Sequence, residues 1–111
     1  MTVALQNNNS CLVASLSGEL DHHSVRMIRE EIDTAISEQQ PASLALDFSG
    51  VTFMDSSGIG LILGRCKVMG GIGGTTAIWN PPPHIRRVMK LSGIERLAKI
   101  ERSPNRKEDI K

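Results

Sequence analysis

The chain has 111 residues, a length that suits one small domain with its own hydrophobic core, so we expect a single domain over residues 1–111. Its composition, 40% hydrophobic and 23% charged, is that of a folded globular protein and excludes an intrinsically disordered one. The net charge is only +1, so the chain offers little of the basic footprint that DNA-binding and RNA-binding proteins need.

The first half of the chain predicts a β-hairpin, a helix and a buried strand. Two apolar runs flank a turn of three asparagines and a serine, a polar cluster typical of hairpins. Apolar residues then recur at helical spacing from Val25 to Ile36, and Pro41 ends this helix. The predicted strands are residues 2–6, 11–16 and 44–48, and the last of them leads into a predicted loop over 49–55.

A second helix follows that loop. Its predicted apolar face comprises Ile59, Ile62, Leu63, Cys66 and Met69. Glycines within residues 70–74 then break the helix and permit a tight turn.

The last third of the chain predicts a strand, a third helix and a tail. Thr75–Trp79 is the strand, and the three prolines of residues 81–83 suit the first turn of the helix. We expect this helix to bury Ile85, Val88 and Met89 and to end at Gly93. A short element over residues 97–100 comes next, and Ser103-Pro104 is compatible with a further helix start in the charged tail.

This order of elements predicts an α/β fold. Strands that alternate with helices need crossover connections, so we expect a small, mostly parallel mixed sheet with amphipathic helices on one or both sides. Cys11 and Cys66 stand in separate apolar runs and are expected to be buried, reduced thiols. No Cys/His cluster has metal-ligand spacing, and no apolar run reaches the roughly 18 residues of a membrane helix. We therefore expect a cytoplasmic protein without a metal, another cofactor or a membrane anchor.

The segment Asp55-Ser56-Ser57-Gly58 stands where a strand and loop meet the start of the second helix. Helix N-termini offer unpaired N–H groups and a partial positive charge, so a phosphate on a serine would be stabilised here. Glycines at 58 and 60 would let a phosphate or a partner's backbone approach closely. The same residues also suit an ordinary helix cap, and the pattern does not decide whether Ser56 or Ser57 is the exposed hydroxyl.

A second polar segment, Gly18 to His23, also lies between a strand and a helix. In a parallel sheet the two segments share one edge, so we expect Glu19, Asp21 and His22 to lie near Ser56. Asp21 either caps the first helix or lies in the loop before it. His22 and His23 taken alone are typical of surface histidines.

Taken together, Gly18-Glu19-Leu20-Asp21-His22-His23, Phe53 to Gly60 and Ile62-Leu63-Gly64-Arg65 resemble the anti-sigma factor antagonists with the STAS fold, and most of all the sporulation type. Ser92-Gly93 also fits, and the resemblance spans nearly the whole chain.

The resemblance implies a monomeric protein-binding switch and not an enzyme. Its unphosphorylated form would bind an anti-sigma factor that is also a serine kinase with bound ADP or ATP, and so release a sigma factor. The kinase would phosphorylate Ser56, and a PP2C-type serine phosphatase would reverse this. The implied binding surface comprises Glu19, Asp21, His22, Asp55, Ser56, Ser57, Gly58 and Ile59.

Three alternatives remain at this point. The first is an enzyme with Ser56 as nucleophile and His22 or His23 as base, although no G-x-S-x-G elbow is present. The second is a module that binds a nucleotide or another small ligand, although no Gly-Lys-Ser/Thr follows the glycine run. The third is a general stress-response antagonist of the same family.

Overall fold

The computed structural model describes residues 2–104, which form a five-stranded mixed sheet and three α-helices. The strands are β1 (Thr2–Asn8), β2 (Cys11–Leu20), β3 (Ser43–Met54), β4 (Thr75–Trp79) and β5 (Lys99–Glu101). The helices are α1 (His22–Gln39), α2 (Ser56–Gly71) and α3 (Pro83–Ser92), and a short 3-10 helix covers Ile94–Arg96. The predicted fold class is confirmed, whereas any helix in the predicted tail beyond Pro104 lies outside the described residues.

The sheet has the strand order β1-β2-β3-β4-β5. β1 and β2 pair antiparallel, and the remaining neighbours pair parallel, as the alternation of strands and helices predicts. Asn9 and Ser10 connect β1 to β2 with φ values of 51° and 68°. Two consecutive residues with positive φ give a turn whose twist matches that of the flanking strands, so the predicted hairpin is confirmed.

β2 and β3 both extend further than the sequence predicts. Ser17 and Gly18 do not end β2, because Gly18 adopts a φ of 93° and a register shift there lets the strand continue to Leu20. The loop predicted over residues 49–55 is also wrong, since β3 runs on to Met54. The two strands consequently end side by side.

The core lies between the helices and one face of the sheet. Alternate residues of the strands supply one side of it, because successive side chains of a strand point to opposite faces. The helices supply the other side through Ile28, Ile32, Met69, Ile85 and Met89. The core residues of the three central strands are Leu12, Ala14, Leu16, Leu20, Leu44, Leu46, Phe48, Val51, Met54 and Ile78. Burial of this apolar surface is the main driving force of the fold.

The buried face of α2 differs from the predicted one. Ile62 and Met69 are buried as predicted, but the Leu63 side chain is 42% exposed. Leu61 and Arg65 are buried instead, because α2 contacts α1 as well as the sheet. The spacing of apolar residues could not predict that Arg65 is buried, since its burial depends on an ion-pair partner from α1. Both cysteines are free thiols that are only partly buried.

An ion pair joins α1 to α2 inside this packing. Arg65 Nε lies 2.9 Å from Asp33 Oδ1, and the Arg65 residue is only 4% exposed. Burial lowers the pKa of the Arg65 guanidinium, and the neighbouring Asp33 carboxylate opposes that effect. The Asp33 side chain itself remains 37% exposed, so it keeps part of its hydration.

Removing Asp33 is expected to destabilise the protein more than removing Arg65. Asp33→Asn leaves a buried guanidinium without its counter-charge, and we expect a loss of about 2–3 kcal/mol, somewhat below the usual cost of breaking a fully buried pair. Arg65→Met keeps the apolar packing and removes the buried charge together with its need for a counter-charge. The loss in free energy of unfolding should therefore stay within about 1 kcal/mol. Urea unfolding with the exposed Glu31→Gln variant as control checks this. Equal losses for Asp33→Asn and Arg65→Met would contradict it.

Candidate functional site

The two polar segments meet at the shared end of β2 and β3. Leu20 of β2 is the register partner of Met54 of β3, and Glu19 pairs with Phe53. One residue further, the Asp55 N–H donates to the Leu20 carbonyl over 3.3 Å. The start of α1 and the start of α2 are therefore tied together by the backbone, which is the arrangement expected from a parallel pair of strands.

Asp21 caps α1. Its Oδ1 accepts hydrogen bonds from the backbone N–H groups of His23 and Ser24 at 3.1 and 3.0 Å. The Ser24 hydroxyl in turn accepts from the Asp21 N–H at 3.2 Å, which completes a reciprocal cap. The backbone N–H of Ser24 is the main reason that the pKa of Asp21 lies below its ordinary value. Of the two predicted roles, the cap is the observed one, and the side chain carries a negative charge at neutral pH.

Asp55 has the same role for α2, and neither serine is the cap. Asp55 Oδ1 accepts from the Ser57 N–H at 2.8 Å, and its carbonyl accepts from the Gly58 N–H at 3.0 Å. Ser56 is the first residue of α2 and is exposed, whereas Ser57 is partly buried. The Ser56 hydroxyl forms no hydrogen bond with any other residue of the range 2–104. The geometry thus separates two serines that the sequence left equivalent.

Gly58 is required by packing rather than by access to a ligand. A Cβ at this position would stand 2.1 Å from Met54 Cγ and 2.6 Å from Met54 Sδ. Met54 is only 6% exposed, so it fills the space that a side chain would need. Gly60 is different, because no atom beyond its chain neighbours and the backbone of α2 itself lies within 4 Å of the corresponding position. Of the two glycines, only Gly60 leaves room for an approaching group.

The histidines lie beside the site without contacting the serines. The rings of His22 and His23 are 4.5 Å apart, and each ring lines a different cavity. Within residues 2–104, no imidazole forms a hydrogen bond with the hydroxyl of Ser56 or Ser57. A serine nucleophile needs such a base, so the arrangement gives no support to the enzyme alternative. The described part of the chain also contains no group of three or more potential metal ligands.

Two apolar side chains near this edge are exposed, which their sequence context did not indicate. Phe53 is 48% exposed and Met27 is 66% exposed. Met27 lines a cavity of about 670 Å³ together with Glu19, Asp21 and His23. Phe53 was assigned to a loop, where the side on which it projects cannot be inferred. An aromatic residue two positions before the serine segment, in a chain with only 2 Phe, was the available signal.

Among the described residues, no helix combines the length and apolarity that crossing a membrane requires.

Comparison with known proteins gives consistent matches over most of the chain. A profile of the STAS domain matches residues 2–106. The anti-sigma F factor antagonist of Paenibacillus polymyxa is 36% identical over 100 residues, which cover 90% of this chain and 86% of that protein.

Two solved structures of SpoIIAA are similar as well, each at 35% sequence identity. The anti-sigma factor antagonist SpoIIAA in its unphosphorylated form has a TM-score of 0.81, and the match covers 94% of this chain and 90% of that one. The Bacillus cell fate determinant SpoIIAA in its phosphorylated form has a TM-score of 0.73, and the match covers 94% of each chain.

Proposed function

Since the chain belongs to the STAS domain family, we propose that it is an anti-sigma factor antagonist whose unphosphorylated form binds an anti-sigma factor and whose binding ends when Ser56 is phosphorylated. The observation that carries this proposal is the position of Ser56. It is an exposed hydroxyl at the first residue of α2, on an edge that β2 and β3 assemble from both polar segments. The anti-sigma F factor antagonist at 36% identity and the two phosphorylation states of SpoIIAA support the assignment.

The proposed binding surface is centred on this edge. It comprises the predicted residues Glu19, Asp21, His22, Asp55, Ser56, Ser57, Gly58 and Ile59. We add Phe53, whose exposed ring lies beside them in the register of β3. Partly exposed aromatic side chains are frequent anchors of protein interfaces, and the carboxylates of Glu19 and Asp21 would favour a partner with cationic groups.

Phosphorylation acts on the partner more than on the fold in this proposal. A phosphate adds a charge of about −1.5 to −2 at the start of α2, where helix N–H groups stabilise a negative charge. The phosphate would add to the negative charge of Asp21 and Asp55, whose carboxylates already accept hydrogen bonds from backbone N–H groups of the chain. A partner that packs against Ser56 would have to bury this added charge, and binding is lost for that reason.

The finer parts of the proposal concern the partners. We propose that the anti-sigma factor is itself the serine kinase, in an ADP-bound or ATP-bound form, and that a PP2C-type phosphatase restores Ser56. The chain would then be a binding partner and a kinase substrate rather than an enzyme. Control of a sigma factor for sporulation implies a cytoplasmic site of action.

Phe53→Ser is expected to weaken binding of the purified cognate anti-sigma factor by at least about tenfold, because it removes the apolar anchor of the proposed surface. Leu91→Ser is the matched control, since Leu91 is an 83% exposed apolar residue on α3, outside that surface. Calorimetric titration with ADP present measures the affinity of each variant for the anti-sigma factor. The proposal would be contradicted by an anti-sigma factor that does not bind the wild-type chain, or by equal losses in the two variants.

A further inference from the structure

A cavity between the first two turns of α1 and of α2 has an unusual polar lining. Its volume is about 390 Å³, and its polar side chains are His22, Arg26 and Arg29 from α1 and Ser57 from α2. No carboxylate lines it. It thereby differs from the cavity on the other side of the α1 start, which Glu19 and Asp21 line.

The two arginines of this cavity have no anionic partner within residues 2–104. Both side chains are exposed, and neither takes part in an ion pair or a hydrogen bond with another described residue. Glu30 stands four residues after Arg26 on the same helix, a spacing at which opposite charges commonly pair. Glu30 instead lines a different cavity, on the side of α1 that faces β1.

The excess of positive charge continues along the seam between α1 and α2. Arg65 is more than nine-tenths buried there, and its Nη1 has no hydrogen-bond partner within residues 2–104. Arg29 is close enough to contribute to the lowered pKa of Arg65. Along this seam Arg65 pairs with Asp33, whereas Arg26 and Arg29 form no ion pair with another described residue.

We propose that this cavity binds a phosphoryl dianion through Arg26 and Arg29, with His22 and the Ser57 hydroxyl as further donors. Guanidinium groups bind phosphate oxygens with two parallel hydrogen bonds, and unpaired ones lose no internal partner when they do so. Side chains rather than the helix amides supply most of the binding, because the Asp55 carboxylate already occupies the Ser57 N–H. On the α2 side of the cavity, Gly60 has no side chain that would obstruct a bound phosphate.

Two sources of this phosphoryl group have the same chemistry. One is a free phosphate ion, and the other is the phosphate carried by the serine segment at the first turn of α2. The second source rests on the proposed function, whereas the first does not. Binding from either source would place a phosphoryl group between two cationic groups of α1 and the first turn of α2.

The first experiment uses the unphosphorylated chain alone. Amide NMR signals of Ser57 and Gly60 are followed during titration with inorganic phosphate, with chloride adjusted to hold ionic strength constant. Saturable shifts are expected, with an affinity at least about tenfold weaker in Arg26→Gln and in Arg29→Gln, since each removes a charge-assisted contact. Arg87→Gln removes an exposed arginine of α3 and should leave the affinity unchanged.

The second experiment uses the chain phosphorylated at Ser56 and follows the phosphorus NMR signal with pH. A phosphoserine bound by the two arginines should ionise at a pKa below its ordinary value of about 6, and Arg26→Gln should restore that value. A response in the first experiment identifies free phosphate as a source, and a response in the second identifies the phosphoserine. No response in either, or an Arg87→Gln effect equal to that of Arg26→Gln, would overturn the proposal. Because the first experiment needs no partner protein, its result is independent of the proposed function.

Discussion

Replacing Ser56 by aspartate is expected to weaken binding of the anti-sigma factor by at least about 100-fold, the effect of burying an unpaired charge in an interface. The stability of the chain should hardly change. Ser56 is exposed at the first position of α2, where a carboxylate interacts favourably with the helix dipole. We therefore expect the free energy of unfolding to remain within about 0.5 kcal/mol of the wild-type value.

Calorimetric titration and urea unfolding measure the two parts of this prediction. Ser37→Asp is a suitable control, because it adds the same charge at an exposed position near the other end of α1. It should leave the affinity close to that of the wild type. An unchanged affinity in Ser56→Asp would refute the role assigned to this serine, and a large loss of stability would mean that the substitution acts through the fold.

Gly58→Ala is expected to destabilise the protein by about 1–3 kcal/mol, the usual cost of inserting a methyl group into a packed core. The new Cβ would lie 2.1 Å from Met54 Cγ, so the buried Met54 side chain would have to move. Met54 is the last residue of β3 and directly precedes the Asp55 cap. The substitution should therefore also displace the edge that presents Ser56, and anti-sigma factor binding should fall with stability.

Gly64→Ala provides the contrast within the same helix. No atom beyond its chain neighbours and the backbone of α2 itself lies within 4 Å of its Cβ position, and alanine is favoured over glycine inside a helix by about 0.5–1 kcal/mol. This variant should be more stable than the wild type, whereas Gly58→Ala should be less stable. The urea concentrations at the midpoints of unfolding of the two variants test this difference in stability. Equal midpoints would show that Met54 adapts without cost.

The sequence predicted the identity and order of the elements well, because their signals are local. The asparagine-rich turn of the hairpin, the helical spacing from Val25 to Ile36 and the glycine that ends α3 each act within a few residues. The meeting of the two polar segments followed from the parallel pairing of β2 with β3. That step needed only the rule that the carboxyl ends of parallel strands share an edge.

The extent of β3 was not predictable in the same way. Residues 43–47 pair with β4 on one side, but the residues beyond them pair only with the extension of β2. A strand segment with a neighbour on one side is partly exposed, so its sequence lacks the continuous apolar run that marks a central strand. The extension also depends on the bulge at Gly18, which a single sequence does not reveal. Phe53 was missed as a surface residue for this reason.

Arg65 and Gly58 illustrate a second limit. Gly58 was interpreted from its residue type as a point of close approach for a ligand, and Arg65 was named only as part of a motif that carries the resemblance. The environment of Arg65 depends on Asp33, which is distant in sequence. The environment of Gly58 depends on the side chain of Met54 at the end of β3. Residue type alone cannot specify such a partner.

Mass spectrometry of the chain after incubation with its anti-sigma factor and ATP tests the central claim most directly. We expect one phosphoryl group, located on Ser56, absent from Ser56→Ala and retained in Ser57→Ala. Phosphate on Ser57, or unreduced phosphorylation of Ser56→Ala, would contradict the assignment of Ser56 as the switch.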